Sequence, residues 1–218
     1  MVTCLLFDFD GTLVDSRDVF IRTYNSLAAA HGFLPIDQHN LDALRALPMR
    51  QRFRALGVPL WKLPLLSRRF LREYRAALGG VRLQPGIADL LHTLAAGPAH
   101  LAILSSNRAD TIRHFLQAQG LAGITDIHGT RRLFGKGRAL KQFLRAQRLQ
   151  PSEVLYVCDE LRDVEACAEA GIRAVWVSWG YDTEAAVAVG APAYAVHTAG
   201  ELLTLLQALI ADPVARPA

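Results

Sequence analysis

The sequence predicts a doubly wound, Rossmann-like parallel α/β sheet into which a helical segment is inserted after the first strand. From residue 84 onward, short apolar runs alternate with amphipathic stretches of helical period, the pattern of a parallel sheet covered by helices on both faces. Another apolar run, residues 3–9, lies alone near the N-terminus. Residues 16–83, between these two parts, show helical periodicity and no strand-like alternation. The sheet domain is therefore predicted to be discontinuous in the chain.

Six apolar runs are predicted to form the strands. They are continuous rather than alternating, as expected for strands that are buried on both faces. In chain order they cover residues 3–9, 100–106, 124–129, 153–159, 172–178 and 193–196.

Five amphipathic stretches in the same part of the chain are predicted to be the helices between these strands. Gly120 and Gly171 follow two of them, at the position where a residue in the left-handed conformation commonly ends a helix. The stretches cover residues 86–96, 108–119, 136–148, 162–170 and 199–211.

The inserted segment differs from the rest of the chain in charge. Residues 16–83 contain twelve Lys or Arg and four acids, a net charge of +8, whereas the remainder has a net charge of −4. We therefore predict a core domain of residues 1–15 and 84–218 and a helical domain of residues 16–83, with hinges near 14–17 and 80–85 that include Gly79 and Gly80. The predicted helices of the insert cover residues 16–31, 40–46, 49–56 and 64–78.

Composition limits the class of protein. The 218 residues are 51% hydrophobic and have a mean hydropathy of +0.18, which indicates a folded domain with a large core. No apolar run is long enough to span a membrane, and the N-terminal run lacks the basic flank of a signal peptide. Three cysteines without paired spacing predict reduced thiols in a cytoplasmic protein. Residues 212–218 are predicted to form a loose tail.

Polar residues follow three of the predicted strands and begin one helix, at the edge where a parallel sheet binds ligands. Singly, each has a structural explanation, because Asp and Ser often cap helices and Lys is usually solvated. Together, several carboxylates would repel one another and raise one another's pKa values, which a divalent cation relieves. Oxygen ligands of this kind predict Mg²⁺. The residues are Asp8, Asp10, Gly11, Thr12, Ser105, Ser106, Asn107, Lys136, Asp159, Glu160 and Asp163.

Four motifs in this set resemble those of the haloacid dehalogenase (HAD) superfamily, and of its phosphoglycolate-phosphatase-like branch in particular. They are FDFDGTLVDS, LSSN, FGKGRALK and VLYVCDELRDVEACAEAGI, and their order and strand positions match across the whole sheet domain. The helical insert is similar to the cap domain that this branch has after its first motif. The resemblance implies a HAD-type phosphatase that acts on a small phosphorylated metabolite.

The resemblance also implies a role for each residue. Asp8 is expected to attack phosphorus and form an aspartyl-phosphate, and Asp10 to act as general acid and then as general base. Lys136 is expected to neutralise the phosphoryl group and hold Asp8. The phosphoryl group and substrate are expected to bind Gly11, Thr12, Ser105, Ser106 and Asn107. Mg²⁺ is expected to bind Asp8, the backbone carbonyl of Asp10, Asp159 and Asp163.

The roles of Cys158 and of the two lysines near the site leave alternatives open. Cys158 occupies a position that is usually glycine in the family, so it either places a thiol near the metal loop or fills the core. Lys141 is an alternative to Lys136 as the phosphate-binding lysine, but Lys136 begins its helix and so lies nearer the strand ends. Asp10 itself distinguishes phosphoryl transfer from dehalogenation, which uses one aspartate without a second acid two residues later.

Other functions stay open at this point. A sugar phosphomutase of the same superfamily would have the same motifs, and a catalytically idle binding or regulatory protein would share the fold. The arginines of the insert either form solvated helix faces or attract a substrate with additional negative charge. They include Arg45, Arg50, Arg52, Arg54, Arg68, Arg69, Arg72 and Arg75. No aromatic platform accompanies them, so neither nucleic acid nor membrane is an expected partner, and the protein is expected to be a monomer or homodimer.

Overall fold

The computed structural model describes residues 1–77, 80–121, 123–130 and 135–211. Gly79, part of a predicted hinge, and the predicted tail at 212–218 lie outside the described residues. The described residues form a six-stranded parallel sheet of order β5-β4-β1-β6-β7-β8 and a two-stranded sheet of β2 and β3. The strands are β1 (Cys4–Phe7), β2 (Val14–Asp15), β3 (Arg82–Leu83), β4 (His100–Ser105), β5 (Asp126–Gly129), β6 (Val154–Cys158), β7 (Arg173–Val177) and β8 (Tyr194–Val196).

Ten α-helices are present in the described residues, and four of them belong to the insert. The helices of the insert are α1 (Arg17–His31), α2 (Leu41–Arg45), α3 (Met49–Ala55) and α4 (Leu63–Ala77). The remaining helices are α5 (Ile87–Ala95), α6 (Ala109–Ala118), α7 (Lys136–Gln147), α8 (Leu161–Ala170), α9 (Glu184–Ala188) and α10 (Ala199–Ala211). No helix in this part of the chain is both long enough and apolar enough to cross a bilayer.

The sheet is buried on both faces, as the continuous apolar runs predict. Alternate residues of β1 contribute to two separate clusters: Leu5 and Phe7 to one, Cys4 and Leu6 to the other. The first cluster includes residues of α5, α6, α10 and the insert, and the second includes residues of α7 and α8. The prediction of a doubly wound sheet with a helical insert is therefore confirmed.

The site predicted from the motifs lies at the point where the strand order reverses. β1 pairs in parallel with β4 on one side and with β6 on the other, and Phe7 is in register with Ile103 and Val157. The carboxyl ends of these three central strands therefore lie side by side. In an open α/β sheet a crevice forms at such a point, because the following helices leave in opposite directions.

The prediction that residues 16–83 contain no strand is wrong at one place. Arg82–Leu83 pairs antiparallel with Val14–Asp15, and the Gln84 N–H donates to the Leu13 carbonyl at 2.9 Å. Each of these strands has two residues, too few to show any periodicity. They lie at the two predicted hinges, and both ends of the insert therefore leave the core side by side. The five-residue helix α9 escapes prediction for the same reason of length.

Candidate active site

Asp8 follows β1 directly, at the carboxyl end of a central strand of the sheet. Its backbone N–H continues the strand ladder by donating to the Val157 carbonyl at 2.9 Å. Its buried carboxylate accepts the Phe9 N–H at 2.8 Å on Oδ1 and the Lys136 ammonium at 2.5 Å on Oδ2. The carboxylate is consequently held in a single orientation at the mouth of the central strand.

Lys136 connects two acids from different strands. It is the first residue of α7 and follows Gly135, whose φ of 103° starts the helix from a left-handed residue. Its ammonium also donates to Asp163 Oδ2 at 2.8 Å. Burial alone would lower the pKa of Lys136, but Asp163 and Asp8 raise that pKa above its ordinary value, so the cation persists at neutral pH. Lys141 of the same helix is exposed, whereas Lys136 is buried against Asp8 and Asp163.

Asp163 has a buried oxygen with no partner among the described residues. It lies in the first turn of α8; Oδ2 accepts from Lys136, and Oδ1 has no hydrogen bond. Burial raises the pKa of Asp163 from 3.8 to about 6. One carboxylate oxygen each from Asp8, Glu160 and Asp163 lies within 4.8 Å of the others. An all-oxygen set with an unsatisfied member fits a hard cation such as Mg²⁺.

Glu160 is a member of this trio that the sequence prediction does not include among the metal ligands. It is the N-cap residue of α8, is buried, and accepts the Arg162 Nε–H at 2.8 Å. Its only sequence signal is its position directly after Asp159 at a strand end. The three oxygens that lie within 4.8 Å of one another include one of Glu160 and none of Asp159.

Asp159 faces a different set of groups. Its carboxylate accepts the Thr12 hydroxyl at 2.8 Å and the Tyr181 N–H at 2.7 Å. Burial, followed by the nearby charges of Glu160 and Asp8, raises the pKa of Asp159 well above its ordinary value. Gly11 makes room for it, because at a φ of 76° a Cβ on Gly11 would lie 2.3 Å from Asp159 Oδ2. Thr12 and Gly11 therefore hold Asp159 in place, and their contact with a substrate stays a prediction.

Asp10 has a hydrogen-bond donor at each carboxylate oxygen. Tyr74 of α4 donates to Oδ1 at 2.5 Å and Asn107 donates to Oδ2 at 2.6 Å. Burial raises the pKa of Asp10 from 3.8 to about 6. A carboxyl group with a pKa near 6 can both give and take a proton near neutral pH, which the predicted acid and base roles require.

The LSSN motif turns directly after β4. The Asn107 N–H donates to the Ser105 hydroxyl at 3.1 Å, and both side chains are fully buried. Asn107 Oδ1 has no hydrogen-bond partner among the described residues. Ser106 is also buried and lines a chamber of about 50 Å³ next to Asp10. Tyr74, Tyr181, Arg162 and apolar side chains of the insert also line the chamber.

A second and much larger cavity also borders the site. A cleft of about 700 Å³ lies between α3 of the insert and helices α7 and α8 of the core, and it is lined by Lys136, Glu160 and Asp163. Arg50 and Arg54 line its insert side, together with acids on the core side. Two members of the trio, Glu160 and Asp163, therefore border the cleft.

Arg45 and Arg52 of the insert neither lie on a solvated helix face nor are free to attract a substrate, because both bind the core. Arg45 donates from Nε to the Tyr181 carbonyl at 2.9 Å, and Arg52 pairs with Asp182 at 2.6 Å. Arg17 donates to the Gly180 carbonyl at 2.8 Å. All three contact the 178–183 loop after β7, which also supplies the Tyr181 N–H to Asp159. These partners are more than a hundred residues away in sequence, so helix periodicity could not show them.

Cys158 fills the core. Its side chain is fully buried in the cluster beneath α7 and α8, and burial raises the pKa of its thiol well above the ordinary value. A neutral buried thiol of this kind is neither a nucleophile nor a metal ligand.

Comparisons with known proteins identify the family of this chain. The family model of haloacid dehalogenase-like hydrolases matches residues 5–177. The chain is 37% identical over 208 residues to a phosphoglycolate phosphatase of Synechococcus elongatus, covering 94% of this chain and 98% of that protein. It is 30% identical over 187 residues to a phosphoglycolate phosphatase of Xylella fastidiosa, covering 81% of this chain and 80% of that protein.

Solved structures show the same fold at low identity. A haloacid dehalogenase-like hydrolase of Streptococcus pneumoniae has a TM-score of 0.78 at 22% identity, covering 94% of this chain and 99% of that one. A predicted phosphoglycolate phosphatase of Haemophilus somnus has a TM-score of 0.72 at 22% identity, covering 94% and 98%. The chain belongs to the family of haloacid dehalogenase-like hydrolases. Within that family it is a phosphatase.

Proposed function

We propose that this phosphatase hydrolyses a small phosphomonoester such as phosphoglycolate, through an aspartyl-phosphate on Asp8 and with Mg²⁺ bound at the carboxylate trio. The names of the relatives support the substrate class. The chamber beside Asp10, which Ser106 and side chains of the insert also line, offers a place for the leaving group. The observation that carries the proposal is the bridge from Lys136 to both Asp8 and Asp163.

In the first half-reaction, a carboxylate oxygen of Asp8 attacks phosphorus, and the ester P–O bond breaks. The leaving oxygen takes the proton of Asp10, which lines the chamber where that oxygen departs. In the second half-reaction, Asp10 takes a proton from water, the water oxygen attacks phosphorus, and the bond from phosphorus to Asp8 breaks. Phosphate leaves, and both carboxyl groups return to their starting states.

The charges around phosphorus would be balanced by residues that the fold already holds in place. Lys136 would face the phosphoryl oxygens while keeping Asp8 oriented, and Ser105, Ser106 and Asn107 would bind the remaining oxygens. The trio of Asp8, Glu160 and Asp163 would hold Mg²⁺, and Asp159 and the backbone carbonyl of Asp10 would complete its ligands. When bound, the metal supplies positive charge that stabilises the transferring phosphoryl group.

Domain boundaries and a cellular location can also be proposed for this chain. We infer a core of residues 1–15 and 84–218 and a cap of residues 16–83, supported by the β2–β3 pair at the junction. A cytoplasmic location is supported by Cys4, Cys158 and Cys167, which are all buried free thiols.

Phosphate release from a panel of phosphomonoesters tests the function. The panel contains phosphoglycolate, N-acetylmuramic acid 6-phosphate and a hexose 1-phosphate, each with Mg²⁺ or with chelator. We expect Mg²⁺-dependent release that is fastest for phosphoglycolate and absent in Asp8→Asn. Full activity of Asp8→Asn would exclude the nucleophile, and conversion of the hexose 1-phosphate to its 6-phosphate would identify a mutase.

A further inference from the structure

The carboxylate of Asp10 is held from two sides, one in the core and one in the cap. Asn107, which follows β4 of the core, donates to Oδ2 at 2.6 Å. Tyr74, in the last helix of the cap, donates to Oδ1 at 2.5 Å. Both oxygens are thus engaged, and the plane of the carboxylate is defined only when the cap lies against the core. None of the four motifs includes Tyr74.

The ring of Tyr74 is fixed by its neighbours. It is 3% exposed and stacks on Phe70 with ring centroids 5.4 Å apart and an interplanar angle of 14°. Phe70 in turn contacts Phe20 of α1 at 5.0 Å. These contacts aim the hydroxyl at Asp10, and a phenol remains a proton donor at neutral pH.

Tyr74 and Asn107 hold the Asp10 carboxylate from opposite domains. Loss of the Tyr74 hydroxyl would remove the hydrogen bond from the cap to Oδ1, and the carboxylate could then rotate away from the position that faces the attacking water. Tyr74 itself keeps its proton throughout, so the balance of the reaction is unchanged.

We propose that Tyr74 is a positioning residue for hydrolysis of the aspartyl-phosphate, through which closure of the cap holds Asp10 as the general base. This inference rests on the proposed roles of Asp8 and Asp10. It assigns to the cap a part in the chemistry, in addition to enclosing the leaving group. Formation of the aspartyl-phosphate from a substrate with a good leaving group does not need Asp10, and so should not need Tyr74.

Tyr74→Phe with 4-nitrophenyl phosphate separates the two half-reactions, since nitrophenolate leaves without a proton. For a two-step reaction, kcat/KM reports formation of the aspartyl-phosphate, whereas kcat reports its hydrolysis when that step is slow. We expect Tyr74→Phe to lower kcat by roughly tenfold to a hundredfold, part of the effect of a general base. We expect kcat/KM to stay within about twofold of wild type, and a burst of about one nitrophenolate per active site.

Tyr194→Phe is the matched control. Tyr194 lies in β8 at the edge of the sheet, three strands from β1, and its hydroxyl accepts a hydrogen bond from Arg173 at 3.3 Å. Its loss should leave kcat and kcat/KM unchanged, and thermal melting of both variants shows that each is folded.

The inference is overturned if Tyr74→Phe lowers kcat and kcat/KM equally, as a disturbed fold would, or if it changes neither. Failure of the proposed function looks different: the wild type would then release no nitrophenolate in a Mg²⁺-dependent way, or Asp8→Asn would release it as fast as the wild type.

Discussion

Arg52 of the cap donates to Asp182 of the core at 2.6 Å, and both side chains are largely buried. The second oxygen of Asp182 accepts the Leu161 N–H at 2.8 Å, at the first residue of α8. The Arg52–Asp182 ion pair therefore connects the cap domain to the core. The same Asp182 side chain also satisfies a backbone N–H at the N-terminus of α8, the helix that carries Asp163. Arg52 further donates to the carbonyls of Leu44 and Leu47 at 2.9 Å each, which fixes it within the cap.

Replacing Arg52 should destabilise the protein strongly. Arg52→Ala leaves the Asp182 carboxylate buried without its partner, and breaking a buried pair from one side costs about 3–5 kcal/mol. We expect a loss of that order in the free energy of unfolding, measured by urea denaturation. Arg54→Ala, at an exposed position of the same helix, should change it by less than about 0.5 kcal/mol. Equal losses in the two variants would show that Arg52 contributes only helix propensity.

The choice between the two lysines of α7 can be tested directly. Lys136→Met removes the cation that faces Asp8 and Asp163, and loss of one such electrostatic group typically lowers kcat by about 10²–10³-fold. Lys141→Met removes an exposed ammonium about one turn further along the same helix, and we expect it to keep wild-type kcat. Steady-state phosphate release measures both. A reversed order of effects would reassign the phosphate-binding lysine.

Mg²⁺ should stabilise the folded protein more at neutral pH than at acidic pH. Burial raises the pKa of Asp163 to about 6, so in metal-free protein the folded state binds more protons than the unfolded state between about pH 4 and 6. This carboxyl group therefore contributes stability that is present below pH 4 and lost as the pH rises through 6. Mg²⁺ binds the ionised carboxylate, so the stability that Mg²⁺ adds increases as the pH rises.

We expect Mg²⁺ to raise the melting temperature more at pH 7.5 than at pH 5. At a hundredfold excess over Kd the gain is about 2.7 kcal/mol, or roughly 5–10 °C for a chain of this size. Differential scanning calorimetry with Mg²⁺ and with chelator measures it. Asp163→Asn should lose most of the shift at both pH values. A larger shift at pH 5 than at pH 7.5 would contradict a carboxylate site.

Only glycine at position 11 allows the backbone to lie so close to the carboxylate of Asp159. Gly11→Ala places a methyl group 2.3 Å from Asp159 Oδ2 at a φ of 76°, so the carboxylate of Asp159 must move. We expect a lower affinity for Mg²⁺ and a loss of stability beyond the roughly 1–2 kcal/mol of a left-handed alanine. Isothermal titration calorimetry and urea denaturation measure these.

Gly32→Ala is the control for backbone strain alone. Gly32 ends α1 at a φ of 69°, and a Cβ there would have no neighbour within 4 Å among the described atoms. It should lose stability by the left-handed penalty and keep its affinity for Mg²⁺. If Gly11→Ala behaves in the same way as Gly32→Ala, contact with Asp159 is not what requires glycine at position 11.

The sequence by itself determined the fold class, and its motifs predicted groups that the fold brings to one edge of the sheet. Continuous apolar runs specify a parallel sheet because burial on both faces leaves no room for polar alternation. Asp8 could be predicted because it follows a strand, and Lys136 because it begins a helix. The local sequence pattern identifies both places, and both lie at the edge of a parallel sheet where ligands bind.

Tertiary structure decided the contacts between residues that are distant in sequence. Whether Asp159 or Glu160 joins Asp8 and Asp163 depends on where Thr12 and the Tyr181 N–H hold the Asp159 carboxylate. The approach of Tyr74 to Asp10, and of Arg52 to Asp182, depends on how the cap lies on the core. Local pattern reports which face of a helix is apolar, but the partner of a buried polar group is set by packing of the whole chain.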